Sequence, residues 1–396
     1  MSTLAVPGFI EEVRKYGTFD ANACLNCGSC TVACDLSSDH ASFPRKAMQR
    51  TVLGLKRSIL ASLDPWLCHD CGDCSITCPR QAEPRESMRT LKRYLTAQYE
   101  ITGLSSRILR SKAWELIANS AVALLVLILV VIYHLYQVQL PLSDFVSTPM
   151  GLEHMFNTIV YFTVVVFLLP LLVLIANAIR MYRFTMCGEN QKIPLRFYLL
   201  EAKTMFVHLV SHKNLRKCAQ PIEKKRWVKH WLLGLAISLM IVIKFFFLKW
   251  FQTDNIYPIY NPQRWLGYFA AAVMIYVSFD ILKGRIKKRE DMYKQSEFSD
   301  LLLPLMLMLV GLSGLAVHIF RYLGFSLTCH YAYAVHLAIA VPLVVIELPF
   351  GKWSHVIYHP LALYFQAVKE RALAEAKPLV GEQLPNESIL KGGQPA

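Results

Sequence analysis

The sequence predicts an all-α protein in two parts, a helical head followed by a bundle of about six membrane-spanning helices. Three observations carry that expectation. Of the 396 residues, 54% are hydrophobic and only 18% charged, which is outside the usual range of soluble domains. The apolar residues are unevenly spread: residues 1–108 contain many charges and no long apolar run, whereas most of 113–350 is apolar. Eight of the eleven cysteines fall before residue 80, in two tight groups.

In chain order, the head comes first. CLNCGSCTVAC supplies Cys24, Cys27, Cys30 and Cys34, and CHDCGDCSITCP supplies Cys68, Cys71, Cys74 and Cys78, followed by Pro79. Both read CxxCxxCxxxC. At this spacing three thiolates wrap one face of an iron-sulfur cubane, while small residues such as Gly28, Ser29 and Gly72 let backbone amides approach the sulfurs. In two-cluster proteins with this motif the fourth cysteine serves the other cluster. The expected sets are therefore Cys24, Cys27 and Cys30 with Cys78, and Cys68, Cys71 and Cys74 with Cys34, for two [4Fe-4S] clusters. Paired zinc sites are the alternative, but zinc takes four ligands per site and usually spaces its CxxC pairs farther apart. Cys187, Cys218 and Cys329 lie outside the motifs and are expected to be inert thiols.

Between the motifs, Met48, Val52, Leu55 and Ile59 recur at helical spacing. This favours a helical two-cluster ferredoxin-like domain over residues 1–108 rather than the compact β form. The sequence has no Cys-Cys-Gly, no strand-borne GxGxxG and no CxxCH. The head is thus expected to relay electrons without bond chemistry, with no dinucleotide fold and no covalent haem.

The body, residues 109–365, contains stretches near the roughly 20 residues needed to cross about 30 Å of hydrocarbon. They fall at about 113–137, 155–179, 229–251, 265–283, 300–321 and 331–351. Residues 180–229 carry twelve Lys or Arg and 283–294 six, whereas 138–154 and 322–330 carry none and 252–264 only Arg264. By the positive-inside rule both termini, and the head, are expected in the cytoplasm of a multi-pass inner (cytoplasmic) membrane protein. The net charge of +14 then belongs at membrane lipid, and no nucleic-acid partner is expected. Residues 366–396 read as a cytoplasmic tail, disordered from about 376.

Ionisable residues inside a bilayer are costly and are functional candidates by default. Paired histidines on facing helices hold a b-type haem without covalent attachment. On the last span, His336 and His355 are 19 residues apart, which places them roughly 28 Å apart along the axis, enough for a haem near each membrane face. His230, opening the third span in RWVKHWLLG, matches His355 at the inner face. For the outer face His154 leads, with His318 and His134 as alternatives for the partner of His336. His359, one turn beyond His355, could replace it. Lys244 is expected to snorkel outward, and Glu347 either to carry protons for a quinone or to make a structural hydrogen bond.

These residues carry a family resemblance. FPRKAMQRTVLGLKRSIL and DPWLCHDCGDCSITCPR resemble the C-type subunits of heterodisulfide reductases, while RWVKH and HLAIAVPLVVIELPFGKWSH are similar to their E-type cytochrome subunits and to nitrate reductase gamma subunits. A chain fusing both parts resembles the C-type membrane subunit of quinone-modifying oxidoreductase (Qmo) complexes, over about residues 20–365. That resemblance implies a cytochrome b type bundle with two haem b and, as substrate, menaquinone or menaquinol from the quinone pool. The implied partners are flavin-containing heterodisulfide-reductase-A-like subunits, with adenylylsulfate (APS) reductase downstream in sulfur metabolism. One departure stands out: the gamma pattern places a second histidine ten residues after the first, where this chain has Met240. The outer haem would then need a ligand from another helix, or else the count falls to one haem. The expected function is a membrane electron-transfer subunit of a quinone-linked oxidoreductase. The rivals are a membrane module of another heterodisulfide-reductase-like complex and a non-catalytic redox-sensing anchor.

Overall fold

The computed structural model describes residues 5–20, 22–37, 42–138, 156–187, 193–212, 221–251, 255–290 and 293–381, and among them there is no strand. Six short helices lie between Phe9 and Ile76, including Ser29–Val32, Arg45–Val52, Asp64–Leu67 and Asp73–Ile76. They pack on the long head helix Pro84–Tyr99, which starts with proline in its first turn, where a missing N–H costs nothing. Phe9, Met48, Ile59, Trp66, Met88, Leu91, Tyr94 and Tyr99 are all buried in this core. The core does not stop at the head. The same apolar cluster takes in Met181 and Met186 from the end of the second span, Phe197, and Tyr358, Phe365 and Val368 of the terminal helix. Trp66 and Tyr358 are in ring contact at 4.9 Å, and Tyr99 meets Tyr358 at 5.7 Å.

Six helices among the described residues are long and apolar enough to cross a membrane: Lys112–Tyr136, Asn157–Met186, Lys224–Phe246, Arg264–Ile286, Phe298–Tyr322 and Ser326–Glu347. Their outer faces expose side chains such as Leu124, Leu129, Val165, Leu172 and Tyr276. Such apolar surface is stable against lipid, because the helices satisfy their own backbone hydrogen bonds.

Three features depart from the sequence expectation. The last span is not one continuous helix. It runs as α-helix to Pro342 and as a π-turn over Leu343–Glu347, then breaks before a 3-10 turn at Lys352–Ser354 and a new helix, His355–Gly381. Pro349 has no N–H to donate, and Gly351 is extended. His336 and His355 therefore sit on different helices, and a separation measured along one axis does not apply to them. Second, residues 180–229 are not only a charged loop. They include the helix Leu195–Ser211, fastened to the terminal helix by Tyr364 Oη donating to the Tyr198 carbonyl (2.8 Å) and Arg371 Nε to Glu201 (2.5 Å). Third, the terminal helix runs through residue 366, where the tail was expected to begin, because Val368 is packed in the head core.

Head and bundle also meet through charge. Asp300, in the first turn of the fifth span, is 2% exposed. It pairs with Arg89 of the head helix and with Lys352, and Arg285 of the fourth span and Arg93 lie 3.4 and 3.8 Å from it. From the third span, Arg226 donates to the carbonyls of His69 and Asp70, both at 3.3 Å. Replacing Asp300 by Ala leaves these cations facing one another without their shared carboxylate. We expect a loss of about 3–5 kcal/mol, read as a lower thermal midpoint and faster proteolytic release of the head, with Asp300→Glu close to wild type.

Candidate metal and cofactor centres

The two cysteine motifs fold into matching cradles. In each, the residue before the second cysteine is left-handed, Asn26 (φ 55) and Asp70 (φ 60), and so is the glycine after it, Gly28 (φ 90) and Gly72 (φ 99). Asn and Asp are the non-glycine residues that accept this conformation most readily. In each cradle an arginine reaches the left-handed residue: Arg45 Nε donates to Asn26 Oδ1 at 2.7 Å, and Arg85 lies 3.7 Å from Asp70, with Arg89 behind it at 3.9 Å. Arg45 and Arg85 also face Gly28 and Gly72, so a side chain at either glycine would crowd its guanidinium.

The thiols group across the two motifs. Cys30 lies among Cys24, Cys27 and Cys78, which line one small cavity with it. Cys74 lies beside Cys68, Cys71 and Cys34. Burial and neighbouring thiols push Cys74 and Cys30 up, and burial pushes Cys34 up to about 11; Cys27, exposed, is lowered by hydrogen bonding to Ser29. Crowded thiols that resist ionisation call for a cation to hold them as thiolates. Among the described residues no three His, Cys, Asp or Glu side chains close on a single ion. A cubane asks for this wider spread, because each thiolate binds its own iron. The donor sets fit a cluster.

The second cradle faces the bundle. Lys92 Nζ donates to the Cys68 carbonyl (2.8 Å), and His359 Nδ1 to the Trp66 carbonyl (2.6 Å). The first cradle points outward, with Leu25 66% and Val32 90% exposed.

Inside the bundle a cavity of about 1980 Å³ runs between spans, with mostly apolar walls and with His212, His230 and His355 toward the head. His230 and His212 are in edge-on contact at 4.9 Å. His355 Nδ1 donates to the Lys352 carbonyl (2.8 Å); a carbonyl can only accept, so the lone pair sits on Nε2, the arrangement of a metal-ligating imidazole. Burial holds His355 down to about 4, hence neutral. Farther along, His336 Nδ1 lies 2.9 Å from Ser313 Oγ, which donates to the Leu309 carbonyl. Buried imidazoles at one end of an apolar cavity are the donor type that suits a haem iron, and His230 neighbours both His212 and His355 there.

The other histidines sort themselves by contact. His318 has one ring nitrogen on Arg264 (2.5 Å) and the other on Tyr268 (2.6 Å), so both are engaged. His359 does not line the cavity; it faces the head. His134 neighbours His330, which donates to the Ser326 carbonyl at 2.8 Å. His154 lies outside the described residues. Lys244 does not turn outward but lines the cavity near His336, and Met240 also lines it. Cys329 is buried with its thiol on the Val317 carbonyl, Cys187 is exposed, and Cys218 is outside the described residues. Sequence reasoning missed His212 and His330. The signal for His212 was the apolar periodicity of LRFYLLEAKTMFVHLVS, a helix whose left-handed C-cap (φ 48) is His212 itself.

Residues 20–82 match the 4Fe-4S dicluster domain family. The head is a domain for two [4Fe-4S] clusters. Over 102 residues, 26% of the chain and 54% of the relative, it is 30% identical to a protein of Archaeoglobus profundus described as like the C subunit of heterodisulfide reductase. It is 33% identical over 99 residues to the C2 subunit of the H(2)/formate:CoB-CoM heterodisulfide,ferredoxin reductase of Methanococcus maripaludis, covering 23% of the chain and 53% of the relative. To the second iron-sulfur C subunit of the CoB–CoM heterodisulfide reductase of Methanocaldococcus jannaschii it is 36% identical over 92 residues, 21% and 49% of the two chains. The chain thus spans about half the length of the curated relatives it matches. No solved structure matches it. What the relatives share with this chain is an iron-sulfur redox subunit, here joined to a body whose described residues include six helices long and apolar enough to cross a membrane.

The dicluster head should bind eight irons, four for each cluster. Cys78→Ala should lower iron and acid-labile sulfide by about half and leave one cluster spectrum intact. The same loss from Cys24→Ala, and the complementary spectrum lost in Cys34→Ala, would establish the crossed sets.

Proposed function

We propose that this chain is the membrane subunit of a quinone-linked oxidoreductase of the Qmo type, exchanging electrons between the menaquinone pool and a soluble flavoprotein. In this reading residues 1–108 are the cytoplasmic head, 109–365 the di-haem membrane domain and 366–396 the tail, in the inner membrane with both termini cytoplasmic. Cys24, Cys27, Cys30 and Cys78 hold one cluster, and Cys68, Cys71, Cys74 and Cys34 the other. His230 and His355 hold the inner haem, and His336 with His154 the outer one. When bound, the clusters and haems supply one-electron transfer; the chain supplies ligands, spacing and a dry path.

The observation that carries the reading is the placement of the second cradle against the histidine end of the cavity. His359 reaches the Trp66 carbonyl, two residues before Cys68, and stands one helical turn from His355. The exposed first cradle is left for the partner, taken to be a flavin-containing heterodisulfide-reductase-A-like subunit that serves APS reductase. The relatives' names favour a second reading, a membrane module for another heterodisulfide-reductase-type complex. A redox-sensing anchor has no use for a large apolar cavity ending in histidines.

Two measurements decide. In isolated membranes a menaquinol analogue should reduce the haem Soret band and then the clusters, and a sensor would show neither on the timescale of turnover. His355→Ala and His230→Ala should each remove one b haem while iron and sulfide stay at wild-type levels. Retention of two low-spin haems in either variant would refute the inner pair.

A further inference from the structure

The cavity ends toward the head against Ser299, Asp300 and Lys352. Behind Ser299 lie two carboxylic side chains that the electron path does not use. Glu115, in the first turn of the first span, is 1% exposed, and Glu347, on the π-turn of the sixth, is 0% exposed. Ser299 Oγ donates to Glu115 Oε2 at 2.8 Å. Asn119 Nδ2 donates both to Glu347 Oε1 and to the Glu115 carbonyl, each at 2.8 Å, so one amide ties the two residues together.

The hydrogen-bond balance of this group is uneven. Glu115 Oε1 and Asn119 Oδ1 are buried acceptors with no partner, and the Glu347 carboxyl has, besides Asn119, only the Lys352 backbone N–H. Unmatched acceptors in one pocket call for a donor. A carboxylic acid is one, and two carboxylates held together do not both ionise. The groups facing the pair are Arg93 of the head helix and Lys352. Both are already engaged, Arg93 with Glu297 and Asp300, and Lys352 with Asp300. The remaining surround is the apolar cluster of Ile108, Ile346, Phe350, Val122 and Val173. Gly351 is needed for the arrangement, since a side chain there would run into the Glu347 carboxylate.

We propose that Glu115 and Glu347 form a proton-sharing pair that exchanges protons, through the Ser299 hydroxyl, with a hydroquinone in the cavity. The inference rests on the quinone-linked reading above and adds the route of the protons. In the oxidising direction a hydroquinone O–H breaks as its proton moves to Ser299 Oγ. The Ser299 O–H breaks in the same step as its proton moves to Glu115 Oε2. That proton leaves the pair for water before the second hydroquinone O–H breaks and its proton follows the same route. The two electrons left behind pass to one-electron acceptors of the chain, so that the quinone, two protons and two electrons account for the hydroquinone.

Redox-induced infrared difference spectra of the full chain in vesicles, driven electrochemically without quinone, read the pair directly. We expect a protonated-carboxyl stretch that shifts in deuterated water, present in wild type and lost in both Glu115→Gln and Glu347→Gln. With a short-chain menaquinol analogue, Glu347→Gln should slow oxidation about a hundredfold and Ser299→Ala about tenfold. Ser299→Thr should restore the rate, and the wild-type pH dependence should flatten in the Gln variants. If menaquinol reduces the wild type but the stretch is unchanged in both Gln variants, the pair is wrong and the quinone reading stands; an ordered water between the groups would give this result. If the stretch behaves as expected but menaquinol does not reduce the wild type, the quinone reading fails and the hydroquinone half of the proposal falls with it.

Discussion

The Asp300 carboxylate is the contact on which the rest of the arrangement depends. It sits in the first turn of a membrane span, where burying an unpaired charge would cost several kcal/mol. It is tolerated because cations reach it from three directions: Arg89 and Arg93 from the head, Arg285 from the fourth span and Lys352 from the turn after the sixth. Each of these contacts fixes something else. Holding Arg89 fixes the long head helix and hence the second cysteine cradle. Holding Lys352 fixes the turn whose carbonyl orients His355. The next residue back in the chain, Ser299, is thereby aimed at Glu115. One carboxylate thus sets the relation between the head, the inner histidine site and the buried acidic pair.

What was legible in the sequence followed from short-range rules. The six apolar runs became six helices close to their expected bounds, because the absence of water in hydrocarbon leaves a helix no alternative. The cysteine spacing identified a two-cluster head, since three thiolates within seven residues can reach one cubane and little else. The break between Glu347 and His355 was less visible. Pro349 and Gly351 signalled a turn, yet the uninterrupted hydropathy of HLAIAVPLVVIELPFG read as one span. The consequence was a histidine separation measured along a helix that is not continuous. Contacts made by residues far apart in sequence were not legible at all. Glu115 meets Ser299 across 184 positions, and Arg89 meets Asp300 across 211. Twelve basic residues in 180–229 read as loop charge, although some of that segment is a helix docked on the terminal helix through Glu201 and Arg371.

The histidines show why residue type alone under-determines a ligand. His318 and His336 both lie at membrane depth and both line the cavity, so by cost of burial they are equivalent. Their second contacts separate them. Both His318 nitrogens are taken by Arg264 and Tyr268, whereas His355 spends Nδ1 on a carbonyl, which can only accept, and His336 Nδ1 meets the Ser313 hydroxyl. The tautomer of His355 is thus set by a turn carbonyl three residues back.

The two cradles are built alike but do different electrostatic work, and the difference follows from where each sits. A thiolate set at an exposed surface keeps much of its hydration. The first cradle accordingly uses a neutral Asn26 and one arginine, with Cys27 lowered by hydrogen bonding to Ser29. The second is pressed against the bundle, where Cys68 and Cys74 lose water and are pushed up by burial. Asp70 replaces Asn26 at the matching position. Burial alone would raise its carboxyl, yet Arg89, Arg226, Arg85 and Lys92 hold it at about 2. Asp70 adds to Glu86 and Asp300, the carboxylates that hold these guanidinium groups within a few ångströms of one another. The guanidinium groups in turn favour anionic sulfur on the side of the head that meets the bundle. With Asp70→Asn the same backbone could still form, but the arginines would repel each other and the third-span contact through Arg226 would weaken. The Asn26-to-Asp70 change, one of several between the two motifs, thus goes with the cradle that faces the bundle, while the first stays open to solvent.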